Sequence, residues 1–494
     1  MRRFCVVFAF MLLLCPLAYS ATSLSSQTAN NTAACAATGS PSYCQAKWVG
    51  LSDSTSGTYD ALPGNVSTVD IHSLIPGGSA TKVLAHFQPW FCMNSGSTST
   101  GVGTSCGGHL QVGYNSNDSY AINGQLNDMR RRGFNGVVVD WYGPTLNNYD
   151  QVSQKMKSNM VSRCSGPQAC PLYLTLMEDQ GAFIWTKCHT NGGGVSVAQQ
   201  TTCITNALES DLDYMNSNYF GTNAYLKVNG SMQISAAGKP VVFFFICEAC
   251  FTNPAPNWSA IWSSVNSHVA GYSGGAPLFI FENGGGFSHT QTDGAFAWTN
   301  WYGSSDAYGF LYLDNFYDTS VNYGALLSIG AAWKGFDDSH APWVGSSPRI
   351  IQQQCGNTLV QSIRQLTHNS DWGPSHPLPF LGVVTWNDYE EGTEVETGIS
   401  NCLSLKASVS GSTLSWALNF SSSGGSESTV YNYVVYDSTN TSNLVPLATV
   451  RQGTHSLNLG NFNLAAGTHV LYIKAVGQPM ILNQMSNGVS YYVP

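Results

Sequence analysis

Residues 136–142 read Gly-Val-Val-Val-Asp-Trp-Tyr: a short apolar run that ends on a carboxylate and two aromatic rings. Seven further runs have the same form. They are Val83–Phe91 (VLAHFQPWF), Leu172–Glu178 (LYLTLME), Val241–Glu248 (VVFFFICE), Pro277–Asn283 (PLFIFEN), Ala295–Tyr302 (AFAWTNWY), Ala325–Phe336 (ALLSIGAAWKGF) and Phe380–Trp386 (FLGVVTW). Near-continuous hydrophobicity of this kind marks strands covered on both faces, as in a parallel sheet. Helical spacing fills several of the gaps. Tyr120–Arg132 puts Ile122, Leu126 and Met129 on one face, and Tyr149–Arg163 repeats Val152, Met156 and Met160. Val195–Tyr219 carries Ile204, Leu208, Leu212 and Met215, and Trp258–Val269 and Leu359–Leu366 are shorter. Eightfold alternation of strand and helix predicts an α/β fold, a (β/α)8 TIM barrel over residues 81–402, although the helices after the fifth to seventh strands are weakly marked. From Leu403 to Pro494 the pattern changes to alternating segments such as Thr413–Leu418, Tyr431–Tyr436 and His469–Ala475. These predict a small all-β sandwich of the fibronectin or immunoglobulin kind over 403–494.

The N-terminal region reads as an address. Arg2 and Arg3 precede the apolar stretch Phe4–Leu14, which is too short to span a bilayer, and Ala18 and Ser20 are small residues suited to cleavage after Ser20. Residues 1–20 are thus expected to be a signal peptide, and the protein to be secreted, extracellular or periplasmic. Residues 21–80, rich in Ser, Thr and Asn, are expected to form a loosely structured extension. Cysteine usage agrees with export. Cys5 and Cys15 fall in the signal, and the other twelve of the 14 fall into close neighbours. They are Cys35 with Cys44, Cys92 with Cys106, Cys164 with Cys170, Cys188 with Cys203, Cys247 with Cys250 and Cys355 with Cys402. An even set in an exported chain predicts disulfides, here between neighbours. Sequons at Asn30, Asn65, Asn117, Asn229, Asn257, Asn419 and Asn440 carry glycans only in a eukaryotic host.

Charge narrows the partners. With 28 Asp+Glu against 19 Lys+Arg the net charge is −9, and no basic cluster offers phosphate contacts. Nucleic acid and anionic membranes are poor partners, and no second apolar stretch is long enough for a membrane span. A polysaccharide or oligosaccharide substrate fits better, taken by a monomer. No spacing demands a metal or cofactor, and neither a G-x-S-x-G elbow nor a phosphate loop is present.

In a TIM barrel chemistry sits at the C-terminal ends of strands. The polar residues of this chain gather at those positions. They are His86 and Trp90, then Asp140, Trp141 and Tyr142, then Glu178 with Asp179, Glu248, Glu282, Trp301, and Asp337 with Asp338. The last strand runs into VVTWNDYEEGTEVE, residues 383–396, which adds Trp386, Asn387, Asp388, Tyr389 and Glu391. Concentrated carboxylates cost stability unless paired or hydrogen-bonded, so their gathering at strand ends points to function. Carboxylates among Trp, Tyr and His suit sugar chemistry: rings stack on aromatics, one carboxyl protonates the leaving oxygen, and a second activates water or attacks. Asp388 and Glu391 are the expected catalytic pair, facing one cleft if the loop turns helically. The remaining strand-end residues, Asp179 and Asp338 excepted, are expected to bind substrate.

The W-N-D-Y-x-E-G-T pattern after an apolar strand resembles the family 71 glycoside hydrolases, α-1,3-glucanases. It is also similar to the related family 99 barrels, endo-α-mannosidases, which read W-N-E-W-x-E-G-T. The stretch His86-Phe-Gln-Pro-Trp-Phe91, followed by Tyr114-Asn-Ser-Asn-Asp118, and the Tyr225-Leu-Lys-Val-Asn-Gly230 hairpin extend the resemblance over roughly residues 81–400. It implies an α-glycan-cleaving barrel with Asp388 and Glu391 sharing the acid and base roles, by inversion in the family 71 form. Family 99 uses two Glu with participation of the substrate's 2-hydroxyl, and the shorter Asp388 departs from that, as does the extra Glu390. A catalytically silent carbohydrate-binding barrel is the alternative from another class.

Overall fold

The structure, a computed structural model, describes residues 66–91, 114–145, 147–188, 195–252, 254–339, 341, 344, 347–440 and 443–494. Strands β1 (Lys82–Phe87), β2 (Gly136–Trp141) and β3 (Tyr173–Asp179) lie side by side in parallel. β4 (Lys227–Val228) pairs antiparallel with β5 (Lys239–Phe245), which itself lies parallel to β3. β6 (Leu278–Glu282), β7 (Gly294–Phe296) and β8 (Leu327–Ala332) continue the parallel wall. β9 (Phe336–Asp337) and β10 (Ile350–Ile351) form a separate two-stranded pair. β11 (Phe380–Val383) pairs in parallel with both β8 and β1 and closes an eight-stranded barrel. Each of the eight apolar runs supplies one barrel strand, and the hairpin at residue 225 onwards becomes β4.

Five of the outer helices lie where the apolar spacing places them: Ser119–Arg131, Asn147–Val161, Val197–Met215, Trp258–Val269 and Asn357–Arg364. Asp118, Ser196 and Asn257 cap three of them by accepting backbone N–H bonds, which satisfies donors left open at a helix start. The alternation is not complete. β6 is followed only by the 3-10 turn Gly284–Ser288, since three consecutive glycines oppose a longer helix. A sixth helix, Phe310–Asn322, follows β7 and buries Tyr312, Leu313, Phe316 and Tyr317.

Strand alternation sorts the wall into two faces. His86, Phe243, Phe296 and Trp298 meet in the barrel interior, with ring centroids 4.9–6.4 Å apart. Trp141, Phe244, Phe279 and Phe281 point out, against Tyr214 or Trp262 of the surrounding helices.

Beyond the barrel, β12 (Leu403–Ser410), β13 (Thr413–Phe420) and β16 (Ser456–Asn458) form one antiparallel sheet. β14 (Val430–Asn440), β15 (Asn443–Arg451), β17 (Gly467–Gly477), β18 (Gln484–Met485) and β19 (Val489–Val493) form the other. Leu405, Leu414, Trp416, Tyr433, Val435, Leu471 and Ile473 fill the space between them. The two parts are interlocked. Ile399, Met480 and Ile481 belong to the barrel's apolar core, and Cys355–Cys402 joins the residues before the last helix to those before β12.

Residues 66–80, expected as part of a loose extension, are packed instead: Ile71 and Ile75 are buried in the barrel core, and Val66 bridges Leu482. The signal segment and the rest of the extension, with the sequons at Asn30 and Asn65, lie outside the described residues. So do both cysteines of two expected disulfides: Cys35 and Cys44 of the first, Cys92 and Cys106 of the second. The other four neighbour pairs are all bonded: Cys164 to Cys170, Cys188 to Cys203, Cys247 to Cys250, and Cys355 to Cys402. No helix among the described residues is long and apolar enough to cross a membrane.

Candidate active site

The stretch 385–393 is a turn closed on itself. Thr385 N donates to Thr393 O (3.2 Å), the two Thr hydroxyls meet at 2.9 Å, and Asp388 N donates to Thr385 Oγ1 (2.8 Å). The helical turn expected here is absent. Asp388 caps an Asx turn instead, its Oδ1 accepting from Glu390 N (2.9 Å) and Glu391 N (3.0 Å). Gly392, at φ 62°, occupies the left-handed region that lets the chain reverse. The turn is held to β1 through Asn387, whose amide exchanges two 2.8 Å bonds with the backbone of Gln88. This lets Gln88 Nε2 donate to Asp388 Oδ2 (3.2 Å).

Around this turn the inward-facing strand ends bring acids together. Asp140 lies near the end of β2, while Asp179 ends β3 and Glu282 ends β6. Burial raises the Asp140 carboxyl well above its usual range, and the charges of Asp179, Asp388 and Glu391 push it the same way. Burial, opposed by the bond from Gly181 N (2.6 Å) and abetted by Glu282, lifts Asp179 to about 7. Glu282 is also lifted to about 7 by burial, against a 2.7 Å bond from Asn283. Asp388 rises to about 7 through burial and the neighbouring Glu390, against three N–H donors. Glu391 rises well above its usual value through burial and Asp388, with Arg349 opposing from 3.9 Å. Like charges and desolvation thus act together, which is how a site keeps some carboxyls protonated near neutrality. Tyr142 hydrogen-bonds Asp179 and stands edge-on to Trp90 at 5.6 Å, and both rings are half-buried.

Several expected substrate contacts lie elsewhere. Trp141 faces outward, fully buried against Tyr214, with its indole N–H on Asp150 (3.1 Å). Glu178 faces outward too, buried beside Asp211 and Lys187 under the helix Val197–Met215; burial raises its carboxyl, and Asp211 adds to this. Glu248 is held by Trp262 Nε1 and His289 Nε2, away from the acid group. Trp386 is buried against Phe134 and the Arg132 guanidinium. Tyr389 is buried, its hydroxyl donating to Glu396 (2.7 Å). Asn387 positions Gln88 rather than facing open space. His86 lies in the barrel interior among Phe243, Phe296 and Trp298, kept neutral by burial that lowers it to about 3. Asp337 caps Ser339 N (3.0 Å) and its N–H donates to Glu391 O, while Asp338 is buried on Arg349. Trp301 packs on Phe336, half-buried. Gln88, Asp179 and the inward Trp298 carry no site assignment in the sequence. Strand parity relative to a neighbour already placed is the signal that finds the last two.

The later acids of the same motif are structural. Glu394 is buried in an ion pair with Lys334 (2.6 Å). Glu396 accepts from Tyr114 (2.8 Å), Tyr389 (2.7 Å) and Gln125 (3.0 Å), and its carbonyl takes a bond from Arg132. No cluster of three or more His, Cys, Asp or Glu among the described residues is spaced to hold a metal ion.

No family model and no curated protein matches the chain. Among solved structures it is similar to the GH99 endo-α-mannosidase from Bacteroides thetaiotaomicron in complex with bis-tris-propane, at 13% identity over 66% of this chain and 87% of that one, TM-score 0.43. A second structure of that enzyme gives 13% identity over 66% and 88%, TM-score 0.42. The Parabacteroides merdae β-glucuronidase gives 8% identity over 83% of this chain and 47% of that one, TM-score 0.35. Similarity at this level does not define a family for the chain.

Proposed function

We propose that the protein is a secreted glycoside hydrolase that cleaves an α-linked polysaccharide, α-1,3-glucan in the first instance, with Glu391 as general acid and Asp388 as general base. The carrying observation is the unequal support of the two carboxyls. Asp388 accepts three N–H bonds, which favour its anion, whereas Glu391 has Arg349 at 3.9 Å as its one cationic neighbour among the described residues. The anion suits a base and the neutral carboxyl suits an acid. In the reaction Asp388 takes a proton from water as its oxygen bonds the anomeric carbon. The glycosidic C–O bond breaks, and Glu391 delivers its proton to the departing oxygen. Asp140, Asp179, Glu282, Gln88, Tyr142 and Trp90 bind and orient the sugar. The W-N-D-Y-x-E-G-T motif supports the family 71 form of this reading, and the disulfides support export.

The test is release of reducing ends from α-1,3-glucan, α-mannan and β-glucan by the full chain, with proton NMR of the first anomer formed. Release from α-1,3-glucan by wild type, and not by Asp388→Asn or Glu391→Gln, is the expected result. Release only from α-mannan moves the protein to the mannosidase form. Sugar binding without turnover on any glycan makes it a silent binding barrel.

A further inference from the structure

Two carboxyls suffice for glycosidic cleavage. This barrel mouth has five, since Asp140, Asp179 and Glu282 join Asp388 and Glu391. Arg349 is the one cation among their described electrostatic neighbours, and it is already bonded to Asp338 (2.6 Å). The spacing of the acids does not suit a metal ion, as no metal-holding group occurs among the described residues.

Asp140 supplies an independent observation. It is 6% exposed, faces inward near the end of β2, and its Oδ1 has no hydrogen-bond partner. Buried polar atoms are almost always satisfied, and a buried carboxylate facing three other acids is costly without a donor. Among the described residues none donates to that oxygen: Trp141 points the other way, and Tyr142 is engaged with Asp179. A charged donor that enters past the half-buried Glu282 and Glu391 would find in Asp140 an acceptor with a free oxygen, with Asp179 and Glu282 able to take further N–H groups. An ammonium carries three N–H donors and no acceptor, and charge-assisted bonds are roughly twice as strong as neutral ones. A neutral hydroxyl supplies one donor and no charge.

We propose that this cleft recognises a sugar ring bearing a free amine, a 2-amino-2-deoxy sugar in its ammonium form, with Asp140 as the principal acceptor. The inference rests on the glycoside hydrolase reading and narrows its substrate to glycans that contain de-N-acetylated amino sugar.

The experiment is calorimetric titration of the full chain carrying Glu391→Gln with three matched probes: methyl α-glucosaminide, its N-acetyl form and methyl α-glucoside. The amine is expected to bind about tenfold tighter than either other probe or better. Asp140→Asn in the same background should weaken amine binding about tenfold more than it weakens glucoside binding, which removes the preference. Glu282→Gln, at a half-buried position, should reduce the preference and serves if the Asp140 variant does not fold. Equal binding of the three probes, persistence of the preference in Asp140→Asn and Glu282→Gln, or binding of calcium chloride as tight as the amine would each overturn the inference. The two readings fail separately. Lack of turnover on every glycan removes the hydrolase reading whatever the probes do. Cleavage of neutral glucan with no amine preference removes only this one.

Discussion

Glu178 and Asp179 are consecutive residues at the end of one strand, and they lead different lives. Asp179 faces the barrel interior, with Tyr142 on its carboxyl and Asp140 and Glu282 as electrostatic neighbours. Glu178 faces the outer helices and shares a buried environment with Asp211 and Lys187. Asp140 and Trp141 divide in the same way one strand earlier. The two faces of the wall show that a carboxylate at a strand end is raised by burial on either side, so a shifted titration alone does not mark chemistry. What separates the faces is where the group can lead: inward to a shared mouth, outward to a helix.

The sharpest way to break that contrast is turnover. Asp388→Asn or Glu391→Gln should lower kcat by about 10²–10⁴, while a cooperative melting transition is retained. Glu178→Gln should leave kcat within a few fold. Equal losses on both faces would erase the distinction. The next largest effect belongs to the buried pair at the far end of the same motif. Lys334→Met leaves Glu394 as an uncompensated buried charge and should cost about 3–5 kcal/mol in denaturant unfolding. The double change Lys334→Met with Glu394→Leu should recover most of it, since breaking a buried pair costs more than replacing it.

Proton linkage gives a smaller, signed effect. Asp179, Glu282 and Asp388 have folded values near 7, above their ordinary ones, so the folded chain holds extra protons between about pH 4 and 7. Stability should therefore be fullest below about pH 4 to 5 for these groups and decline as pH rises to about 7, by at most about 1.4 kcal/mol per pH unit for each. Asp179→Asn should flatten the decline in melting temperature measured across that window, and an unchanged slope would contradict the burial of that carboxyl. The smallest effect concerns Glu390, whose charge helps raise Asp388. Glu390→Gln should move the acid limb of the kcat/KM profile to lower pH, because the base then ionises more readily. An acid limb that does not move would rule out Asp388 as the base.

The barrel is legible in the sequence because its eight strands are buried on both sides, and that leaves long apolar runs no other element explains. The helix Phe310–Asn322 is not, because its buried face carries one aliphatic residue, Leu313, among the aromatic Tyr312, Phe316 and Tyr317. The site is legible as a set of strand ends and as a motif, but not residue by residue. Two adjacent polar or aromatic residues at a strand end cannot both face inward, and the choice depends on register against the outer helices. Trp141, Glu178, Trp386 and Tyr389 fall on the side away from the mouth, and Trp298 falls on the inner side without a sequence mark. Residues 387–391 resemble a helical turn in sequence because capping by Asp388's own side chain leaves no mark in apolar spacing.

The placement of Met480 and Ile481 in the barrel's apolar core, next to Ile399, makes the C-terminal ninety residues a keystone rather than an appendage. A chain cut after Cys402 would leave a gap in the barrel's apolar core and one covalent tether with nothing to steady. Proteolytic trimming at that point should accordingly unfold the barrel and not release a smaller stable domain.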